Sequence, residues 1–418
     1  MALECIAPLR QLWRQRETLA GSGDPMTGLI QLTESDTRPS AHGFALFNKG
    51  FRTFFALASL HAALLVPVWV VAVTGVVPVP EIGMSWHAHE MLFGFTLAVI
   101  AGFLLTAVTN WTGRETARGG NLAALGLIWL AGRVAPFVLS PRWAAVVDLA
   151  FIPLLLVALA RAIIPAGNRR NYVFLGLLTL LEVLSFLHHS GTLGVFSGWE
   201  RKADLLAADV IAIIICIMTA RVLPMFTKNA TGFEVQRSQV AERAAVVGLG
   251  CLLVLSGLEA PGWLLQVAAS LTAGALLLRS WRWGFRASFG TPLLWILHLG
   301  NLWLTVSVAL RGFPGVMSTP LALHAFTVGC VAMLCLGMMA RVSLGHTGRM
   351  LVPSGMVEVS FWLLLVAGVA RVIAPAFFPA FYRGQLLVAA VAWTLAFGSF
   401  FVASLPIWVR PRVDGKPG

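Results

Sequence analysis

Charge is scarce in this chain. Asp, Glu, Lys and Arg together make up 11% of its 418 residues, against roughly 25% in a soluble protein. Too little polar surface remains to coat a water-soluble body of this size, which excludes a pair of ordinary soluble cores. Cysteine occurs five times, at Cys5, Cys216, Cys251, Cys330 and Cys335. No two form a CxxC pair and four lie inside apolar runs, so neither a disulfide framework nor a thiolate zinc site is indicated. The formal charge is +12, but no basic–aromatic module accompanies it, and nucleic acid is not expected as a partner. The first fifty residues lack the basic, apolar, small-residue order of a cleavable signal and read as a cytoplasmic tail.

Apolar residues dominate instead, at 58% of the chain with a mean hydropathy of +0.82. A membrane-crossing helix needs about 20 of them in succession. Twelve runs qualify: 53–77, 87–109, 121–140, 143–163, 171–190, 203–223, 242–259, 261–279, 291–310, 320–340, 355–373 and 382–405. The pattern predicts an all-α fold, a polytopic membrane bundle of about 12 transmembrane helices. The expected organisation is a cytoplasmic tail over 1–50, the bundle over 51–408 and a second cytoplasmic tail over 409–418.

The basic residues orient this bundle. With the N-terminus inside and alternate crossings, the inner stretches hold 23 Lys and Arg and the outer ones six. Short loops rich in Lys and Arg stay in the cytoplasm, so the chain is expected in the inner membrane of a bacterium, in contact with lipid, with both termini cytoplasmic.

Ionisable groups within a bilayer are costly and tend to face an interior site. The densest group is Trp86-His87-Ala88-His89-Glu90-Met91, at the outer end of the second run. Residues two apart on a helix point about 200° apart, so His87 and His89 either serve two centres or converge where a helix begins between them. His324 opens the tenth run and His188-His189 close the fifth, all at the outer level. Five of the nine histidines thus crowd one end, and neutral imidazole is a favoured ligand of haem iron and copper. The expectation is a metal centre there with His87, His89 and His324 as first ligands and His188 as a further one. Glu90 is the candidate proton carrier or ligand-orienting group. His298, among large apolar residues in the ninth run, is a candidate haem ligand, and Gly300 beside it leaves room for a flat group. His346, with Arg341 and Arg349, could hold propionates or lipid phosphate. His61 stands alone and reads as structural. Asp148, Glu182 and Asp209 are candidate proton carriers, with Arg133 available to neutralise one of them.

These motifs resemble the NnrS family. The likeness is carried by Trp86-His87-Ala88-His89-Glu90-Met91-Leu92-Phe93-Gly94-Phe95, by Asn110-Trp111-Thr112-Gly113-Arg114, by Arg221-Val222-Leu223-Pro224-Met225-Phe226-Thr227, and by Pro292-Leu293-Leu294-Trp295 leading to His298. The tenth run adds His324-Ala325-Phe326-Thr327-Val328-Gly329 and Arg341-Val342-Ser343-Leu344-Gly345-His346-Thr347-Gly348-Arg349. The resemblance implies b-type haem and copper on histidine ligands and a role in nitric oxide metabolism. It matches His87, His89, His298, His324 and either His188 or His346 to the family's histidine motifs. On that basis the chain is expected to act on nitric oxide, reducing it to nitrous oxide with electrons from a donor the sequence does not name; the alternatives are a non-catalytic nitric oxide or iron-nitrosyl binder and a metal or haem transporter. One departure is Asn301, where the family pattern leads one to expect tyrosine.

Overall fold

Twelve helices among the described residues are long and apolar enough to cross a membrane: α1 (Gly50–Val73), α2 (Met84–Thr112), α3 (Gly120–Val138), α4 (Pro141–Ile163), α5 (Arg169–Thr192), α6 (Trp199–Thr231), α7 (Gln239–Gly257), α8 (Gly262–Ser280), α9 (Pro292–Gly312), α10 (Thr319–Gly345), α11 (Gly355–Phe377) and α12 (Pro379–Val409). The computed structural model describes residues 43–418, apart from Pro78, Pro80, Val316, Met317 and Pro417. Residues 1–42 of the expected N-terminal tail lie outside the described residues. The chain is a multi-pass, all-α membrane protein.

Number and order follow the apolar runs, but several helices outlast them. α6 continues to Thr231 and α12 to Val409, because an apolar run measures the width of hydrocarbon whereas a helix ends only where its backbone is stopped. α6 stops at Gly232, in the left-handed conformation with φ 70°, the usual way of closing off terminal carbonyls.

Sequential helices pack side by side through most of the chain, and α12 returns to lie against α1 and α11. α2 and α10 are the most enclosed, with 83% and 72% of their apolar windows buried, whereas α7 is buried over only 22%. Lipid is no less apolar than leucine, so close approach of backbones rather than hydrophobicity holds such helices together. Gly300 on α9 illustrates this: a Cβ there would lie 2.8 Å from Leu334 of α10. The room expected beside Gly300 for a flat group is therefore filled by a neighbouring helix.

Several arginines counted with the loops are interior. Arg52, Arg279, Arg341 and Arg371 are all buried. Arg279 donates to the Cys216 carbonyl (2.8 Å), Thr219 Oγ1 (2.9 Å) and Asn301 Oδ1 (2.9 Å). Asn301 thus serves as a neutral acceptor for a buried cation. Arg52, at the start of α1, donates to the carbonyls of Ile407, Trp408 and Arg410 at 2.7–2.9 Å. These are carbonyls at or just past the end of α12, with no partner within it, and one guanidinium nitrogen lies within reach of all three. Arg52→Ala is expected to cost about 3 kcal/mol. It should be read as a lower thermal midpoint with earlier carboxypeptidase cleavage after α12, and Arg52→Lys should recover only part of the loss.

Candidate metal centre

The first turn of α2 is α-helical over Met84–His89 and then widens to a π-helix over Glu90–Thr96. α10 does the same at Ala325–Ala332, directly after His324, and α11 at Val369–Ile373, around Arg371. π-helical turns are uncommon and cluster at functional sites because they re-aim side chains. Here all three lie beside the polar residues of one end of the bundle.

On one side of α2 is a cluster built from five helices. Arg133 of α3 donates through one nitrogen to Glu90 Oε2 (3.0 Å) and through the other to Asp148 of α4. His61 of α1 sits 3.0 Å from the same Glu90 oxygen. Asp148 Oδ2 lies 3.1 Å from His89 Nε2 and 2.9 Å from His189 Nε2 of α5. His61 therefore does not stand alone, and of Asp148, Glu182 and Asp209 it is Asp148 that Arg133 pairs with, while also holding Glu90. Gly94 makes the space for this: a Cβ there would come within 2.9 Å of Glu90, His61 and Arg133.

His89, Asp148 and His189 place three ligand atoms within 4.8 Å of one another. His189 is hydrogen-bonded to Asp148, but His89 Nε2, although close, has no aligned hydrogen bond. Next to them His188 Nδ1 lies 2.9 Å from Asp204 Oδ1 of α6, again with neither atom in a hydrogen bond. The His89 and His188 rings are 4.5 Å apart. Glu90, Asp148 and Asp204 set three carboxylates against the single guanidinium of Arg133 in surroundings that punish unmatched charge. Cationic occupancy would relieve both that excess and the orphaned nitrogens.

On the other side of α2, His87 lines a cavity of about 150 Å³ together with His324, Arg371, Asp204 and the rings of Trp69 and Trp393. His87 stacks on Trp69 at 4.2 Å, and its Nδ1 is buried without a hydrogen-bond partner. His324 Nδ1 is 2.7 Å from the Pro320 carbonyl. A carbonyl can only accept, so Nδ1 carries the proton and Nε2 keeps its lone pair. His87 and His324 thus meet at one cavity, while His89 faces the cluster behind it. α2 is helical through both, so the two histidines serve different sides.

The chain matches a family model, described as NnrS protein, over residues 45–412. It belongs to the NnrS family. No curated protein matches it. Membership makes it a nitric oxide-related membrane protein of a family linked to haem and copper. The cluster fits copper by its donors, two imidazoles and a carboxylate with one nitrogen unpartnered, in the mixture that copper and other late transition metals accept. The cavity offers donors of the kind haem takes, the imidazoles of His87 and His324 and the guanidinium of Arg371, beside two tryptophan rings. Its free space matches an engineered cavity of ~150 Å³ that holds benzene and is smaller than a porphyrin. Haem binding there requires the cavity walls to move apart.

The remaining candidates lie elsewhere. His298 Nε2 is 2.9 Å from Thr227 Oγ1, whose own proton is given to the Leu223 carbonyl. Nε2 must therefore donate, which leaves only Nδ1 for a metal. Arg341 lies over the Phe226 ring at 3.9 Å, and the His346 ring packs 5.8 Å from that of Phe51. Neither they nor His298 line the cavity or the cluster. Asp209 pairs with Arg311 rather than with the histidines. Sequence reasoning missed the joining of Asp148 and His189 to His89. Adjacent histidines on α5 gave no sign of which would face α4, since that depends on how α4 and α5 are rotated.

Arg133 is the counter-ion of the cluster. Arg133→Met is expected to destabilise the protein by about 3–5 kcal/mol, because it leaves two buried carboxylates without their permanent counter-ion. Adding Glu90→Gln to that variant should restore part of the thermal midpoint.

Proposed function

We propose that this protein reduces nitric oxide to nitrous oxide with haem b and copper held at the histidine-rich end of the bundle. The observation that carries the reading is the back-to-back placement of two imidazole sites on one turn of α2, with His89, His189 and Asp148 on one side and His87 and His324 on the other. Copper would be held by His89, His189 and Asp148, with His188 beside them. Haem would be held by His87 and His324, with Arg371 facing its propionates. When bound, the two metals supply a redox centre that accepts electrons and polarises the nitric oxide oxygen.

The chain's own residues set the conditions. Arg133 fixes the Asp148 carboxylate from behind, as an outer partner does for a metal ligand. Glu90 holds Arg133 and His61 and does not line the cavity, so its proposed part is positioning. Trp69 and Trp393 keep bulk water from the His87–His324 cavity, where an apolar substrate partitions readily. His298, Arg341 and His346 take no cofactor in this reading. The basic residues further support placement in a bacterial inner membrane with both termini cytoplasmic; the histidine-rich end would then face the periplasm. Two molecules of nitric oxide take up two electrons and two protons to give nitrous oxide and water; the electrons come from a donor outside the chain and the protons from solvent.

The test is anaerobic consumption of nitric oxide by purified, metal-loaded protein with a chemical electron donor. Nitrous oxide should accumulate in step with nitric oxide loss. Turnover no faster than that of the metal-free protein would falsify the enzyme reading, and spectral change without nitrous oxide would leave a binding protein instead. Metal analysis separates the two sites. His189→Ala should lose most copper and keep haem absorbance, whereas His324→Ala should lose haem absorbance and keep copper.

A further inference from the structure

A second cavity lies deeper in the bundle. Its free space is about 90 Å³, and its walls come from α1, α2, α6, α9 and α10 without a polar surface. Four of these helices, α1, α2, α6 and α10, also wall the His87–His324 cavity, and the last three do so with residues seven positions apart. Leu92, Ala208 and Val328 line the upper cavity; Val99, Ile215 and Cys335 line the lower one. Seven residues of helix are about 10 Å at 1.5 Å each. The lower cavity is therefore stacked beneath the upper one along a single three-helix seam, about two turns nearer the middle of the bundle.

The residues on the seam between the two levels are mostly apolar and several are small, Ala212 of α6 and Ala332 of α10 among them, both buried; the Thr96 hydroxyl of α2 is given to the Met91 carbonyl. Such a seam has nothing to offer an ion, a proton or a phosphate. An apolar cavity in a protein stays dry and takes up apolar gas atoms or small hydrocarbons, as one of ~150 Å³ takes benzene or xenon. At about 90 Å³ and open on one side, the lower cavity has room for diatomic molecules. Half-exposed residues such as Ile100, Ile215 and Met338 on its rim face the lipid side of the bundle, where an apolar gas is more concentrated than in water.

We propose that this lower cavity is a gas-holding chamber. It takes an apolar diatomic from the membrane and passes it along the α2–α6–α10 seam to the cavity of His87 and His324. The identity of the gas as nitric oxide rests on the function proposed above; the chamber itself rests on shape and lining alone.

Two measurements separate these claims. Crystals of the whole protein pressurised with xenon should show a xenon peak among Val99, Ile215 and Leu334. No peak there, or density for a lipid acyl chain filling the space, would overturn the chamber. Ile215→Trp fills the chamber and should slow nitric oxide binding to the haem-loaded protein by about tenfold, a barrier increase of about 1.4 kcal/mol, with an unchanged final spectrum. Val99→Phe, a smaller change, guards against a folding defect and should slow binding in the same direction. Wild-type rates in both folded variants would overturn the route. A xenon peak in a protein that binds no nitric oxide would uphold the chamber and remove the gas assigned to it.

Discussion

The guanidinium of Arg133 is the interaction on which the polar end of this bundle depends. Glu90 and Asp148 come from different helices, and each would be intolerable among apolar side chains without a cation. One planar, permanently charged fork satisfies both, and it does so with geometry that an ammonium could not reproduce. Through Glu90 it reaches His61, and through Asp148 it reaches His89 and His189. Five helices are thereby tied at a single level of the membrane. Even so, the acids outnumber the guanidinium, and the shortfall of positive charge is what makes this end of the molecule suited to a metal cation.

The widening of α2 just after His89 matters for the same reason. A regular helix would present the run from Trp86 to Phe95 as one stripe facing inward and one facing lipid. α2 is instead surrounded, and its two histidines have protein on both sides. The π-turn lets Glu90 reach inward to Arg133 while Gly94 leaves the needed clearance one turn on. The comparable turns after His324 and around Arg371 place those side chains at the opposing cavity. The two sites therefore share a wall one helix thick, with Asp204 lining the cavity while it also touches His188 of the cluster. A change in charge on one side of that wall is felt on the other with little dielectric between them.

Below this polar end the bundle holds by shape. Glycines admit neighbouring side chains, and the seam of α2, α6 and α10 leaves apolar space that packing does not fill. Arg279 shows how the same protein tolerates a cation without a carboxylate, among carbonyl, hydroxyl and amide oxygens, whereas Arg52 donates mainly to backbone carbonyls. Those networks close helix ends or helix contacts and lie apart from the histidines.

Twelve crossings, an all-helical fold and the gathering of histidines at one end were determined by the sequence itself. Hydrocarbon thickness sets the length of an apolar run, and the penalty on charge makes every intramembrane His, Glu or Arg conspicuous. That His87 and His89 could serve separate centres also followed from helical geometry. What only the tertiary structure decided is partnership. Asp148 and His189 join His89, His61 joins Glu90, and His298 turns to Thr227, because partnership depends on the rotation and depth of helices far apart in the chain. Apolar periodicity is weak in helices surrounded by either lipid or protein, so it carries almost no record of which face meets which neighbour.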